Sequence, residues 1–215
     1  MSLPIWDPRK LLESPQVYNL FQRFVGGNKG RQVFIAKYIL PRKPNRVLEV
    51  GCGPGTNCRS FPDGTAYVGC DCDNGYIAYA KKQFGKRAEF YAVPVGQLRQ
   101  LGVPPFDMII ALSVLHHLND EEVLTLSDEV HDLLKPGGLF ITADPCFMTG
   151  QSKLERFITS CDRGKFVRFP EDCMKLLGKR FPRVTWETMR SRLPRIPCTG
   201  VIMIAENAPN GARQP

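Results

Sequence analysis

Seven consecutive residues, Glu49-Val50-Gly51-Cys52-Gly53-Pro54-Gly55, carry the first chemistry legible in this chain of 215 residues. They continue the apolar run Val47-Leu48, so a strand runs straight into closely spaced glycines. Glycines let the chain turn sharply and let backbone approach a ligand with no Cβ in the way. Ligands bind at the carboxyl ends of strands in a doubly wound sheet, at the switch point of strand order. A dinucleotide loop needs Gly-x-Gly-x-x-Gly, with the pyrophosphate on the helix N-terminus. Here Thr56 stands where the third glycine belongs, which disfavours a nicotinamide cofactor. Asp71 lies twenty residues after Gly51. There, at the end of the next candidate strand, a carboxylate can accept both hydroxyls of a ribose; the plainer alternative is a cap for the helix from Asn74. Glu49 sits on a buried strand, where a carboxylate needs a partner. His116 and His117 follow the longest apolar stretch, Met108 to Leu115. A neutral imidazole suits proton removal near pH 7, so His116 is the candidate base. Its alternative is packing or capping at the helix that starts near Asn119.

The elements around these residues alternate. Candidate strands are Arg46–Val50, Ala66–Cys70, Ala88–Ala92, Phe106–Leu112 and Leu139–Ala143. Candidate helices between them are Thr56–Ser60, Asn74–Phe84, a short Val95–Leu101 and Asp120–Leu134. Such alternation predicts βαβ units and a parallel sheet. Upstream, Ser14-Pro15 reads as an N-cap followed by proline at the first helical position. Val17, Leu20, Phe21, Phe24 and Val25 then fall on one helical face, and a second helix is expected over Arg31–Leu40. Residues 145–182 read as loop and helix. Two late strands, Arg183–Met189 and Thr199–Ala205, are expected to pair antiparallel at the sheet edge, through a connection of about nine residues, longer than a tight hairpin. The expected architecture is α/β, a Rossmann-like doubly wound, mostly parallel seven-stranded sheet with an antiparallel edge strand. N-terminal helices (1–44) form a cap, 145–182 is a cap insertion within a domain over 45–207, and 208–215 is a flexible tail.

Leu48 to Gly55 resembles motif I of the class I S-adenosylmethionine-dependent methyltransferases. Tyr67-Val68-Gly69-Cys70-Asp71 is similar to the second strand of that family, which ends in an acidic residue. Phe106 to Leu118 resembles the fourth strand and its loop, and Leu133-Leu134-Lys135-Pro136-Gly137-Gly138-Leu139 the turn into the fifth. The four motifs stand in the family's order across residues 45–145. The N-terminal helices and the stretches Asp162–Arg168 and Arg195-Ile196-Pro197 are similar to uncharacterised bacterial members. The resemblance implies S-adenosyl-L-methionine as cofactor, with contacts from Glu49, Gly51, Cys52, Gly53, Gly55, Asp71, Cys72 and Leu112. It implies that Glu49 holds the cofactor's amino group through water or backbone, and that His116 serves catalysis. One departure stands out. The family often has a carboxylate just after the third strand, near the adenine, whereas here the stretch is Tyr91-Ala92-Val93-Pro94-Val95.

Composition limits the rest. The eight cysteines contain no Cys-x-x-Cys pair, so a zinc site is not expected. No run approaches the ~18 apolar residues of a membrane span. The N-terminus lacks the charged and apolar regions of a signal peptide, so a cytoplasmic protein is expected. Basic residues exceed acidic ones in 1–50 (nine to three) and in 151–215 (thirteen to six) but not in 51–150 (seven to twelve). With Arg163, Lys165 and Arg168 in the insertion, that distribution suits an anionic small-molecule acceptor or is a solvated surface. Asp144-Pro145-Cys146-Phe147 faintly resembles a base-clamping signature of nucleic-acid methyltransferases. It follows the fifth strand rather than the fourth, and no RNA-binding module is visible. The leading expectation is methylation of oxygen or nitrogen on a small molecule. The alternatives are a nucleic-acid target and a non-catalytic cofactor-binding scaffold.

Overall fold

The structure, a computed structural model, describes residues 27–160, 164–193 and 196–208. The expected helix after Ser14-Pro15, the residues Arg163 and Arg195, and the tail from residue 209 lie outside the described residues.

A seven-stranded sheet organises the chain in the order β3-β2-β1-β4-β5-β7-β6. Strands β1 (Arg46–Val50), β2 (Ala66–Cys70), β3 (Glu89–Tyr91), β4 (Phe106–Leu112) and β5 (Leu134–Pro145) are parallel. β7 (Ile196–Glu206) runs antiparallel to both its neighbours, β5 and β6 (Arg183–Leu193). The strand order reverses between β1 and β4, which makes the carboxyl ends of those strands the place for a ligand.

Parallel strands are buried on both faces, and this explains why they read as continuous apolar runs. Successive side chains point to opposite faces, so each strand feeds two cores. Leu48, Val50, Ile109, Ala111 and Phe140 pack with Val123, Leu126 and Val130 of α4 (Asp120–Leu133) and with Leu176 and Leu177 of α6 (Pro170–Leu177). Val47, Met108, Ile110 and Ile141 pack on the other side. Their partners are Phe34 of α1 (Gly27–Phe34), Ile35 and Ile39 just beyond it, and Ile77, Ala80 and Phe84 of α2 (Asn74–Phe84).

Several boundaries differ from expectation for visible reasons. α1 begins before Arg31, then loosens into a π-helical turn (Ile35–Ile39) and tightens into a 3₁₀ turn (Leu40–Arg42). Pro41 sits in that last turn, and Lys43, at φ 48°, ends it. Thr56–Ser60 is a 3₁₀ turn, and only Gln97–Gln100 (α3) of the stretch 95–101 is α-helical. β5 starts five residues early. Leu134 pairs with Phe106 and Leu139 with Met108, so Lys135-Pro136-Gly137-Gly138 bulges out of the ladder. The late strands also run longer than their apolar stretches. They pair from Arg183↔Glu206 to Leu193↔Ile196, leaving two residues between them in place of the nine expected. Within the insertion, the helices are α5 (Lys153–Ser160) and α6.

Candidate functional site

The glycine turn is built as its sequence demands. Gly51, Gly53 and Gly55 all take positive φ, at 65°, 52° and 72°. A Cβ on Gly55 would lie 2.6 Å from Phe90 Cε1 and 2.9 Å from Ala80 Cβ, whereas one on Gly53 would meet nothing within 4 Å. Gly55 therefore lets the turn pack onto the sheet, and Gly53 leaves its outer side open. Asp71 closes the turn from β2: its Oδ2 accepts from the Gly53 N–H at 2.8 Å and its Oδ1 from the Asp73 N–H at 2.9 Å. The cap of α2 is Asp73, which accepts from Gly75 and Tyr76, so the capping alternative for Asp71 does not hold. Glu49 is 2% exposed. Its Oε1 accepts from Asn57 Nδ2 at 2.7 Å and its Oε2 from the Tyr67 hydroxyl. Burial raises the Glu49 carboxyl above its ordinary value, against the opposing pull of those two donors. Cys52 is buried, and burial likewise pushes its thiol well up.

In front of the turn lies a cavity of about 530 Å³. Of the expected site residues, Gly51, Asp71 and Cys72 line it. Gly53 is bonded to Asp71, while Glu49, Cys52, Gly55 and Leu112 are buried outside the lining. Val93, Pro94 and Val95 give an apolar wall, and Glu121, Glu122, Thr125 and Glu129 of α4 face them. Glu129 bears on the departure noted after β3. Its carboxylate accepts from the Gly96 N–H, and burial raises it. A helix elsewhere in the chain thus brings a carboxylate to the loop that lacks its own. Glu129 was not legible as a site residue, because its helix reads as an ordinary amphipathic one.

His116 sits away from this lining. It is 4% exposed, and its Nδ1 is 2.8 Å from Oδ1 of Asp144, which also accepts from the His116 backbone N–H at 3.3 Å. Asp144 is the last residue but one of β5 and is 7% exposed. Residues 164–168 lie across the histidine: a Cβ on Gly164 would fall 2.0 Å from His116 Cδ2, and the Phe166 N–H donates to the His116 carbonyl. Arg168 fastens this strap. It donates to the carbonyls of Leu115, Leu118 and Phe166 and to Oδ1 of Asp120. Its expected role as an anion binder is therefore corrected, because its donors are spent on the fold. Lys165 is exposed.

Comparison with known proteins agrees with this geometry. A methyltransferase domain family matches residues 47–138, which run from the strand before the glycine turn to the turn into β5. The chain carries a methyltransferase domain and is similar to class I S-adenosylmethionine-dependent methyltransferases. A ubiquinone biosynthesis O-methyltransferase of Ruegeria pomeroyi is 32% identical over 150 residues, 66% of this chain and 58% of that protein. An uncharacterised methyltransferase of Anoxybacillus flavithermus is 26% identical over 144 residues, 66% of each chain. The alignments thus span less than two thirds of these curated relatives. The N-methyltransferase NodS of Bradyrhizobium japonicum, solved with S-adenosyl-L-homocysteine, superposes with TM-score 0.62. It is 18% identical, with 83% of this chain and 86% of that one covered.

The residues present fit the cofactor of these methyltransferases. A turn with Gly51 on the cavity wall, an apolar wall of Val93 to Val95 and the Asp71 carboxylate together suit a nucleoside with a charged tail. Among the described residues of this methyltransferase domain, no cluster of His, Cys, Asp or Glu suits a metal ion, and no helix is long and apolar enough to cross a membrane. Sequence reasoning did not identify Asn57, Tyr67, Asp144 and Glu129 as part of the site. Of these, Tyr67 had drawn notice as part of the second-strand motif and Asp144 for a different role.

Proposed function

We propose that the chain transfers a methyl group from S-adenosyl-L-methionine to an oxygen or nitrogen of a small-molecule acceptor. The observation that carries this reading is the glycine turn closed by Asp71 at the wall of the 530 Å³ cavity. When bound, the cofactor supplies a methyl group on a sulfonium, already a good leaving group. The protein then has mainly to hold donor and acceptor at attacking distance. Asp71 accepts from the ribose hydroxyls, and Gly51, Cys52, Gly53 and Gly55 bring backbone to the cofactor's tail. Cys72 and Leu112 border it, and Glu49 keeps the turn in shape through Asn57 and Tyr67. His116 receives the acceptor's proton.

We assign the acceptor no anionic group. The described cavity lining holds Asp71, Glu121, Glu122 and Glu129 and no Lys, Arg or His, and Arg168 is engaged elsewhere. A nucleic-acid target is disfavoured because Asp144, which would open the base-clamping stretch, is bonded to His116.

Calorimetric titration with S-adenosylmethionine and S-adenosylhomocysteine tests the reading. Micromolar binding that falls at least ~10-fold in Asp71→Ala, a change of about 1.4 kcal/mol, supports it. A folded protein that binds neither compound refutes it.

A further inference from the structure

We propose that Glu129 is the residue by which this chain selects the base of its cofactor, its carboxylate accepting from the exocyclic amino group of adenine; this rests on the methyl-transfer reading above. Glu129 belongs to α4, the helix that follows β4, and lines the cofactor cavity. The stretch Val93-Pro94-Val95, which follows β3, lines the same cavity. The next residue, Gly96, donates its backbone N–H to the Glu129 carboxylate. That bond holds the carboxylate at the end of the apolar wall, although the two residues come from different βα units.

The other polar residues of the lining are committed or open to solvent. Asp71 accepts from the Gly53 and Asp73 N–H groups at the glycine turn. Asn119 and Glu122 bind one another in the capping box of α4. Thr125 donates to the Glu121 carbonyl, and both residues are exposed. Glu129 is half-buried, and among the described residues the Gly96 N–H is its one hydrogen-bond partner. Burial raises its carboxyl above the ordinary value, so the charged form lacks part of its solvation and gains from a further donor. An ionised carboxylate has room for about four donors. The loop also makes space for it. A Cβ on Gly96 would fall 2.2 Å from Glu129 Oε1 and 2.6 Å from its Cδ, while the backbone there, at φ −61° and ψ −23°, suits any residue. The missing side chain at Gly96 therefore serves the carboxylate rather than the turn.

Adenine matches these surroundings. Its faces suit the apolar lining of Val93, Pro94, Val95, Val114, Leu118 and Leu126. Its edge carries an amino group that donates beside ring nitrogens that accept. A carboxylate only accepts, so it favours an amino group at that edge and opposes a carbonyl in the same place. Asp71 and Glu129 thus divide the nucleoside between them, one taking the sugar and the other the base. No bond is made or broken at Glu129; its part is to decide which nucleoside enters.

Calorimetric titration with two probes tests this. One is S-adenosylhomocysteine; the other is its analogue with hydrogen in place of the base's amino group. The wild type is expected to prefer the first by at least ~10-fold, the scale of one hydrogen bond to a charged group. Glu129→Ala is expected to narrow that preference to within ~2-fold, with S-adenosylhomocysteine weakened and the deaminated analogue unchanged. Gly96→Ala keeps the charge but displaces the carboxylate, and is expected to narrow the preference in the same way. Asp71→Ala is expected to weaken both probes together and leave the preference intact. A merely structural role for Glu129 would weaken both probes alike in Glu129→Ala, and that result overturns the proposal. A wild type without preference, or a full preference kept in Gly96→Ala, overturns it as well. A folded wild type that binds neither probe instead overturns the methyl-transfer reading on which the proposal stands.

Discussion

Replacing Gly55 and Gly53 in turn by alanine separates two contributions that the turn combines. Both glycines have positive φ, where an L side chain costs about 1–2 kcal/mol. At Gly53 that is the whole penalty, because a Cβ there meets nothing within 4 Å. At Gly55 the new methyl lands 2.6 Å from Phe90 Cε1 and 2.9 Å from both Phe90 Cζ and Ala80 Cβ. Neither neighbour has room to retreat, since Phe90 is 3% exposed and Ala80 0%. Overpacking of a filled core adds about 1–3 kcal/mol. Gly55→Ala is therefore expected to lose about 2–5 kcal/mol, and Gly53→Ala about 1–2 kcal/mol. For a chain of this size each kcal/mol lowers Tm by about 2–4 °C. Urea and thermal unfolding followed by circular dichroism measure both. If Gly55→Ala unfolds at the same midpoint as Gly53→Ala, the close packing of the turn against Phe90 and Ala80 is wrong.

Three further outcomes follow from the contacts. Burial raises the Glu49 carboxyl above 4.5. The sign is that of a group disfavoured when charged: its contribution is fully present below the unfolded value and is lost as pH rises through the folded one. Relative to wild type, Glu49→Gln should gain stability progressively as pH rises above about 4.5, and parallel urea midpoints across that range would contradict this. Arg168→Met should cost about 2–4 kcal/mol, because it strands three carbonyls and leaves the strap unfastened. Hydrogen exchange should then quicken at the Phe166 amide, which donates to His116. Asp73→Ala should cost about 1 kcal/mol as a lost helix cap. Cofactor affinity, by calorimetry, should stay within ~2-fold of wild type, in contrast to Asp71→Ala.

The parts legible in the sequence are those decided locally. β1, β2, α2 and β4 begin and end where their apolar runs and flanking turn residues say, because fully buried strands cannot hide polar interruptions. The glycine turn and Asp71 were equally readable, since their spacing along the chain is itself the signal. The ends of β6 and β7 were not. Their last rungs, from Met189↔Gly200 to Leu193↔Ile196, carry arginines and Pro197 and are ordered by pairing with each other. The same limit applies to the site. His116 stood out as a residue type, but its contact with Asp144 spans 28 positions and depends on two strands lying side by side. Arg168 was misread for the opposite reason: a basic residue in a loop looks like a ligand hook until the carbonyls around it are known.

The outermost strand has one consequence for how this protein behaves among copies of itself. Among the described residues, β6 is eleven residues long and bonded on one side only, to β7. So long a free margin is a template onto which another chain can add a strand. The opposite margin, β3, has only three residues and offers little purchase. On β6, exposed Arg183, Thr185 and Glu187 alternate with half-buried Val184 and Trp186. Charged side chains along a strand margin discourage another chain from pairing there. The hairpin that completes the sheet thus also discourages its growth into a larger one, through Arg183 and Glu187, residues far from the chemistry.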